Sequence, residues 1–306
     1  MRIGAWFKQA WVALFLAAGL AYIAYYFHAL APRAALATPL VPGFLLLAAT
    51  LQFATLLSYA QLWRAVLETV STGRLTLTQS LTQIALMGIG KYLPGKIWGM
   101  IARGAHGQHH GIEGKATLLA TYYEQAMLLH AATLVCALLI AWLHQQYWLA
   151  VAGIASLFLG PVLLTWLRTA LVWLARHLRR MQSPPPLDHL PLRAYMSLTL
   201  AYAAIWLLSG AVLAAIYLAC FDRPLTTEML GTLTLANTAG ITAGFLALFA
   251  PGGIGVREAV TSALLIQHMS LADAALLSVV YRLWLVAWDL ILGGLFAFYQ
   301  LRRRRP

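Results

Sequence analysis

Two segments of this chain set Pro-Gly beside basic side chains in apolar surroundings: GIGKYLPGKIWGMIARG at 88–104 and LFAPGGIGVREAV at 248–260. Proline donates no backbone hydrogen bond and glycine accepts unusual backbone angles, so a helix stops in each. A new half-helix can begin at Pro94 or Pro251, because proline suits the first helical position. Such a start offers free N–H groups and the positive end of the helix dipole, a combination that suits an anion. Lys96 and Arg257 add full charges beside those amides, and Lys91 approaches from the preceding half-helix. The candidate substrate-binding residues are therefore Lys91, Pro94, Gly95, Lys96 and Arg103 at the first break. At the second they are Pro251, Gly252, Gly253, Gly255, Arg257 and Glu258. The chemistry expected of them is to hold a phosphate or another anionic headgroup. The plainer reading is a pair of packing kinks; charges beside both breaks weigh against it.

Glu124, Arg282 and Asp289 join the candidates because each lies in a long apolar run. A charge deep in hydrocarbon costs at least ~2.5 kcal/mol unless paired or hydrated, so each is expected to face the interior. Arg282 and Asp289, seven residues apart, share a helix face with about 10 Å between them along the axis. An ion pair of purely structural value between these two is as open as a functional role. Set against Glu124, Glu258 and Asp289, the cations Lys91, Lys96, Arg257 and Arg282 leave one positive charge for a substrate to neutralise.

Other chemistry finds less support. His106, His109 and His110 in HGQHH have only Glu113 nearby as a further ligand type, which favours a polar loop over a metal site. Gly252-Gly253-Ile254-Gly255 lacks the preceding strand that a nucleotide loop needs. Cys136 and Cys220 each sit in an apolar run and are expected to pack as core. No catalytic residue, metal or cofactor is expected, and the chain is not read as an enzyme.

The elements that position these residues follow from composition. The chain has 306 residues, 61% hydrophobic and 10% charged, with mean hydropathy +0.75. A soluble domain carries about a quarter charged residues to keep its surface wet. The apolar residues form continuous runs near 9–29, 42–63, 76–93, 116–142, 148–168, 195–220, 229–250 and 271–299. Spanning hydrocarbon takes about 20 residues of helix, and continuous runs without alternation predict helices over a barrel. The expected fold is an all-α polytopic membrane protein. Shorter pieces, 95–102 and 254–267, follow the third and seventh runs. The run at 9–29 is expected to be a retained span, since the Ala-x-Ala at 29–31 precedes Pro32.

Charge decides whether the third and seventh runs cross or turn back. If both turn back, Arg2, Lys8, Arg64, Arg74, Arg103, Lys115, Arg168, Arg176, Arg179, Arg180, Arg193 and Arg302 to Arg305 all face the cytoplasm. Only Arg33 and Arg223 then lie outside. Full crossing would export Arg176, Arg179 and Arg180 or the terminal arginines, against the positive-inside rule. Six full spans plus two re-entrant broken helices, one from each side, are expected, with both termini cytoplasmic. Ser183 and Pro184 to Pro186 read as a stiff stretch of central cytoplasmic linker, near 184–191. It parts a first half, 1–183, from a second, 192–306, within one integral membrane domain over 1–306. Breaks entering from opposite sides imply inverted repeats, a plan in which transporters place their site at the midplane. The basic stretch from Arg168 to Met181 is expected at the interface, and Trp6, Trp11, Trp142, Trp148 and Trp166 as interfacial anchors. The formal charge of +12 is attributed to topology and anionic lipid, with no nucleic acid as partner.

At the two breaks the chain resembles the transmembrane, flippase-like region of lysylphosphatidylglycerol synthases and their stand-alone relatives. The resemblance rests on PGGIGVRE at 251–258, KYLPGKIWG at 91–99 with Arg103, Glu124 in TYYEQ, and Tyr281-Arg282 in YRLWLVAWDLILGG. It covers nearly the whole chain, and PGGIGVRE is its distinctive part. It implies a lipid-translocation domain of the bacterial inner membrane, here without the aminoacyl-transferase domain of the synthases. Where the family often has Glu-Arg this chain has Glu124-Gln125, so an intrahelical pair is expected to be missing. The substrate implied is an anionic membrane lipid or a polyprenyl-linked sugar, with lipid or glycan biosynthesis enzymes as partners. Two other functions compete: an integral membrane transferase acting on a lipid phosphate, with Glu124 and Asp289 as bases, and a non-transporting partner of a lipid or glycan assembly complex.

Overall fold

A computed structural model of the chain describes residue 28 and residues 40–92, 97–177, 190–247 and 250–303. The run at 9–29, the linker near 184–191, and Trp6 and Trp11 fall outside them, apart from His28, Leu190 and Pro191. Regular structure among the described residues is helical. In order, the helices are α1 (Pro42–Glu68), α2 (Leu77–Gly90), α3 (Trp98–Gln108), α4 (Gly114–Leu143) and α5 (Tyr147–His177). They continue with α6 (Leu192–Cys220), α7 (Thr227–Leu246), α8 (Val256–Leu265) and α9 (Leu271–Arg303). Most fall within a few residues of the apolar runs. α5 is the exception: it runs through Pro161 to His177, so residues 168–177 continue the same helix.

Among the described residues, five helices are long and apolar enough to cross a membrane: α1, α4, α6, α7 and, in α9, Leu271–Phe296. α5 adds a shorter apolar stretch, Tyr147–Val162. At 1.5 Å per residue the 30 residues of α4 extend about 45 Å, more than a ~30 Å hydrocarbon core. The surface is apolar, with Leu46, Val151, Trp166 and Leu290 each at least 65% exposed. A protein in water does not display such a belt. Trp142 and Trp148, also exposed, flank the α4–α5 turn as anchors would.

α6 is the central helix, with two thirds of its apolar window buried, and it packs against α1, α4, α5, α7 and α9. It divides two cores. One gathers Trp63, Tyr123, Met127 and Tyr202; the other gathers Ile216, Phe221, Leu233, Leu277 and Tyr281. α1 and α6 lie antiparallel: the Val41 N–H donates to the Ala219 carbonyl at 3.2 Å, and Tyr59 meets Tyr202 further along.

α2 and α3 form an antiparallel hairpin, as do α7 and α8. Each closes over two glycines. A Cβ on Gly90 would collide with the Gly99 backbone, and one on Gly253 would lie 2.7 Å from the Gly244 Cα. Thr76 caps α2 through a reciprocal box with Gln79, and the Thr226 hydroxyl caps α7. The first hairpin leaves from the C-terminal end of α1, the second from the C-terminal end of α6. Because α1 and α6 are antiparallel, the hairpins start at opposite ends of the bundle.

Candidate functional site

The hairpin tips meet. The Gly252 N–H donates to the Lys91 carbonyl at 3.0 Å, joining the second break directly to the first. A Cβ on Gly252 would come within 3.0 Å of the Tyr92 ring and 3.1 Å of Arg282 Nη2, a fit tight enough to favour glycine. Its left-handed backbone, φ 59°, is a second reason for glycine.

At the second break, Pro251 does not start α8. Pro251 to Gly253 form a single 3-10 turn, and α8 begins at Val256 after Gly255, whose φ is 84°. Three left-handed glycines, Gly252, Gly253 and Gly255, reverse the chain before a new helix can start, which moves the start five residues beyond the proline. The Glu258 carboxylate folds back on this start and accepts from the Gly255 N–H at 2.7 Å. Part of the expected anion-binding end is thus filled by the chain's own carboxylate. Arg282 fixes the turn from α9, donating to Glu258 Oε1 at 2.7 Å and to the Gly252 carbonyl at 3.0 Å.

Arg282 is therefore not the partner of Asp289. Asp289 accepts from Lys91 Nζ at 2.6 Å and from the Tyr92 hydroxyl at 2.7 Å, both at the end of α2. Shared helix face placed Arg282 and Asp289 near each other, but each finds a nearer partner across the hairpin tips. Gly88 makes the room, since a Cβ there would fall 2.7 Å from Asp289 Oδ1.

The first break has its own ion pair. Arg103, in α3, donates to Glu124, in α4, at 2.5 Å, and both side chains are fully buried. The guanidinium lies 3.8 Å from the Trp63 ring centre, whose indole N–H donates to Gln83 at 2.7 Å. The intrahelical partner missing at Gln125 is replaced by this pair, and Gln125 itself donates to Glu124 at 3.3 Å. α3 begins at Trp98, four residues past Pro94; Pro94, Gly95 and Lys96 lie outside the described residues.

The two halves thus use one arrangement with reversed polarity: arginine on the short helix and glutamate on the long one in the first half, the opposite in the second. With Lys91 held by Asp289, Arg103 by Glu124 and Arg282 by Glu258, Arg257 is the cation left over among the described site residues. Its guanidinium lies 5.1 Å from the Tyr281 ring centre, and its Nη2 is buried with no hydrogen-bond partner among the described residues. Polar side chains continue from there: the Tyr281 hydroxyl meets Ser209 at 3.1 Å, and Asn237 donates to Ser209 at 2.9 Å. An open groove of about 810 Å³ runs beside α3, lined by Met100, Ile101, Gly104, Lys115 and Leu118.

Tyr92, Trp63, Gln83 and Gly88 escaped the sequence reading. A phenol beside Lys91 in an apolar run was the available sign, because a buried hydroxyl must find a partner. His106 of HGQHH packs on α2, its Nδ1 3.2 Å from Gln83 Nε2, and His110 stacks near it.

The helical bundle, its apolar surface and its spans of membrane length define a polytopic membrane protein. The chain belongs to the lysylphosphatidylglycerol synthase TM region family, whose model matches residues 10–293. No curated protein and no solved structure matches the chain.

Proposed function

We propose that the chain is a flippase-like carrier, not an enzyme, that moves an anionic lipid or a polyprenyl-linked sugar across the bacterial inner membrane. The lipid phosphate would sit where the hairpin tips meet, between Lys91 and Arg257, with its tails left in the bilayer. The observation that carries this reading is the joined tips: two broken segments in direct contact, with Arg257 near them keeping one buried nitrogen, Nη2, without a hydrogen-bond partner among the described residues. Broken backbone at membrane depth is tolerable where protein or a wet cavity surrounds it, and such places bind ions and substrates. Membership of a lipid-related membrane family supports a lipid as cargo.

In this reading the α2–α3 hairpin enters from the cytoplasmic side and the α7–α8 hairpin from the other, with six full spans and both termini cytoplasmic. α7 is long enough to cross, but its return through α8 and the distribution of arginines favour a hairpin. The opposing halves would rock about the joined tips.

The test uses protein reconstituted into vesicles containing a fluorescent phosphatidylglycerol, with a membrane-impermeant quencher reading which leaflet holds it. The wild-type chain is expected to move the lipid, and Arg257→Ala to slow it by about tenfold or more, as for loss of a charge-assisted contact. Unchanged movement in Arg257→Ala and in Lys91→Gln would refute this site.

A further inference from the structure

The Lys91–Asp289 pair differs from the two arginine–glutamate pairs. In those the side chains are sealed, 0% and 0% exposed for Arg103 and Glu124 and 5% and 2% for Arg282 and Glu258. Lys91 is 44% exposed and Asp289 18%. An anion arriving at the tips can reach the Lys91 ammonium without breaking the core, and in doing so it competes with Asp289. The carboxylate has what a phosphate would bring: negative charge and oxygen acceptors. It is held in that place by the Tyr92 hydroxyl on Oδ2 and by the space left at Gly88 beside Oδ1.

The pair also ties two moving parts. Lys91 ends α2 in the first half, and Asp289 belongs to α9 in the second. Packing continues the contact, since Ile89 lies directly over Gly293. Arg282, one face along α9, cannot take the place of Lys91, because both its amino groups are engaged at Glu258 and Gly252.

We propose that Asp289 is a resident counter-ion that the substrate's phosphate displaces from Lys91, and that the displacement unlatches α9 from the first hairpin. This rests on the anion-carrier reading above. An empty site keeps the halves tied through the ammonium. A filled site gives the ammonium to the phosphate and repels the like-charged carboxylate from its seat, which frees one half to move against the other.

Binding to the full chain in phosphatidylcholine nanodiscs tests this, with fluorescent phosphatidylglycerol as probe and fluorescent phosphatidylcholine as control. Asp289→Asn removes the competitor and is expected to tighten phosphatidylglycerol binding about three- to tenfold, whereas Lys91→Gln is expected to weaken it by a similar factor. In the Lys91→Gln background, Asp289→Asn is expected to lose most of its gain, because no ammonium remains to compete for. Inorganic phosphate forms a second arm: a gain with the lipid alone supports displacement by a lipid headgroup, and a gain with both supports displacement by the phosphate group itself. With Cys136 and Cys220 replaced, a disulfide between Ile89→Cys and Gly293→Cys is expected to form less readily once phosphatidylglycerol is added. Binding unchanged or weakened in Asp289→Asn, an equal gain in both backgrounds, or cross-linking indifferent to the lipid overturns the proposal. Failure of the wild-type chain and of Arg257→Ala to discriminate phosphatidylglycerol from phosphatidylcholine would instead bring down the anion-site reading, and this proposal with it.

Discussion

Arg103 finds its main partners inside the first half, a carboxylate at 2.5 Å and an indole face at 3.8 Å, with no exposure. Its Nε is buried without a hydrogen-bond partner among the described residues. A sealed pair of this kind adds little over an apolar pair of the same volume, but loss of one partner leaves a bare charge. Arg103→Ala is therefore expected to destabilise the fold by about 3–5 kcal/mol, through the stranded Glu124. Arg103→Lys keeps the charge but loses the flat fork that stacks on Trp63, and a loss of about 1–2 kcal/mol is expected. Arg103→Leu with Glu124→Leu is expected to recover most of the alanine loss. Thermal unfolding in detergent, followed by circular dichroism, ranks the three; a double variant no more stable than Arg103→Ala would show that the pair does more than satisfy itself. Arg103 and Glu124 were both legible in the sequence as charges that had to face inward. Their pairing was not, because spacing along a chain reveals partners on one helix, and these residues sit on two helices joined by a turn. The same holds for Lys91 and Asp289, which the tertiary fold alone brings together. It also explains why Arg282 and Asp289, seven residues apart on one face, looked like a pair and are not.

Each hairpin depends on its glycines for more than freedom of the backbone. Gly253 has φ 70° and a neighbour, Gly244, whose Cα would lie 2.7 Å from an added Cβ. Gly255 has φ 84° with nothing within 4 Å of that position. Gly255→Ala is expected to cost about 1–2 kcal/mol for a left-handed backbone alone. Gly253→Ala carries the same strain plus separation of α7 from the turn, so its unfolding temperature is expected to fall clearly further. Equal losses would mean that the hairpin absorbs the methyl without opening. Gly104, in α3 with open space around its Cβ position, serves as the control and should tolerate alanine. The Pro-Gly punctuation announced where both helices break. It did not reveal where the second resumes, since Pro251 suits a helix start by itself and the three left-handed glycines after it postpone that start to Val256. The expectation of hairpins came from charge alone, since α7 has the length and apolarity of a full span although it packs against α8.

At the scale of the molecule, two units of the same plan stand antiparallel: a long helix, a broken hairpin and another long helix, α1 to α4 and α6 to α9. The ion pair of reversed polarity repeats with them, which ties the symmetry to the site and not to the outline alone. The arrangement makes a geometric prediction. The turns at 69–76 and 109–113 lie at one end of the bundle, and those at 144–146, 221–226 and 266–270 at the other. α2 and α3, with 14 and 11 residues, extend about 21 and 17 Å, too short for either to cross a ~30 Å core. Single cysteines at Arg74 and Glu113 should then react with an impermeant maleimide from the same side of sealed vesicles, once Cys136 and Cys220 are replaced. Cysteines at Gln145, Asp222 and Gln267 should react from the opposite side. If the first hairpin crossed instead, Glu113 would part company with Arg74; if the second did, Gln267 would part company with Asp222. Labelling in the expected pattern would put the two hairpin tips inside the bilayer from opposite faces, as the proposed carrier role requires.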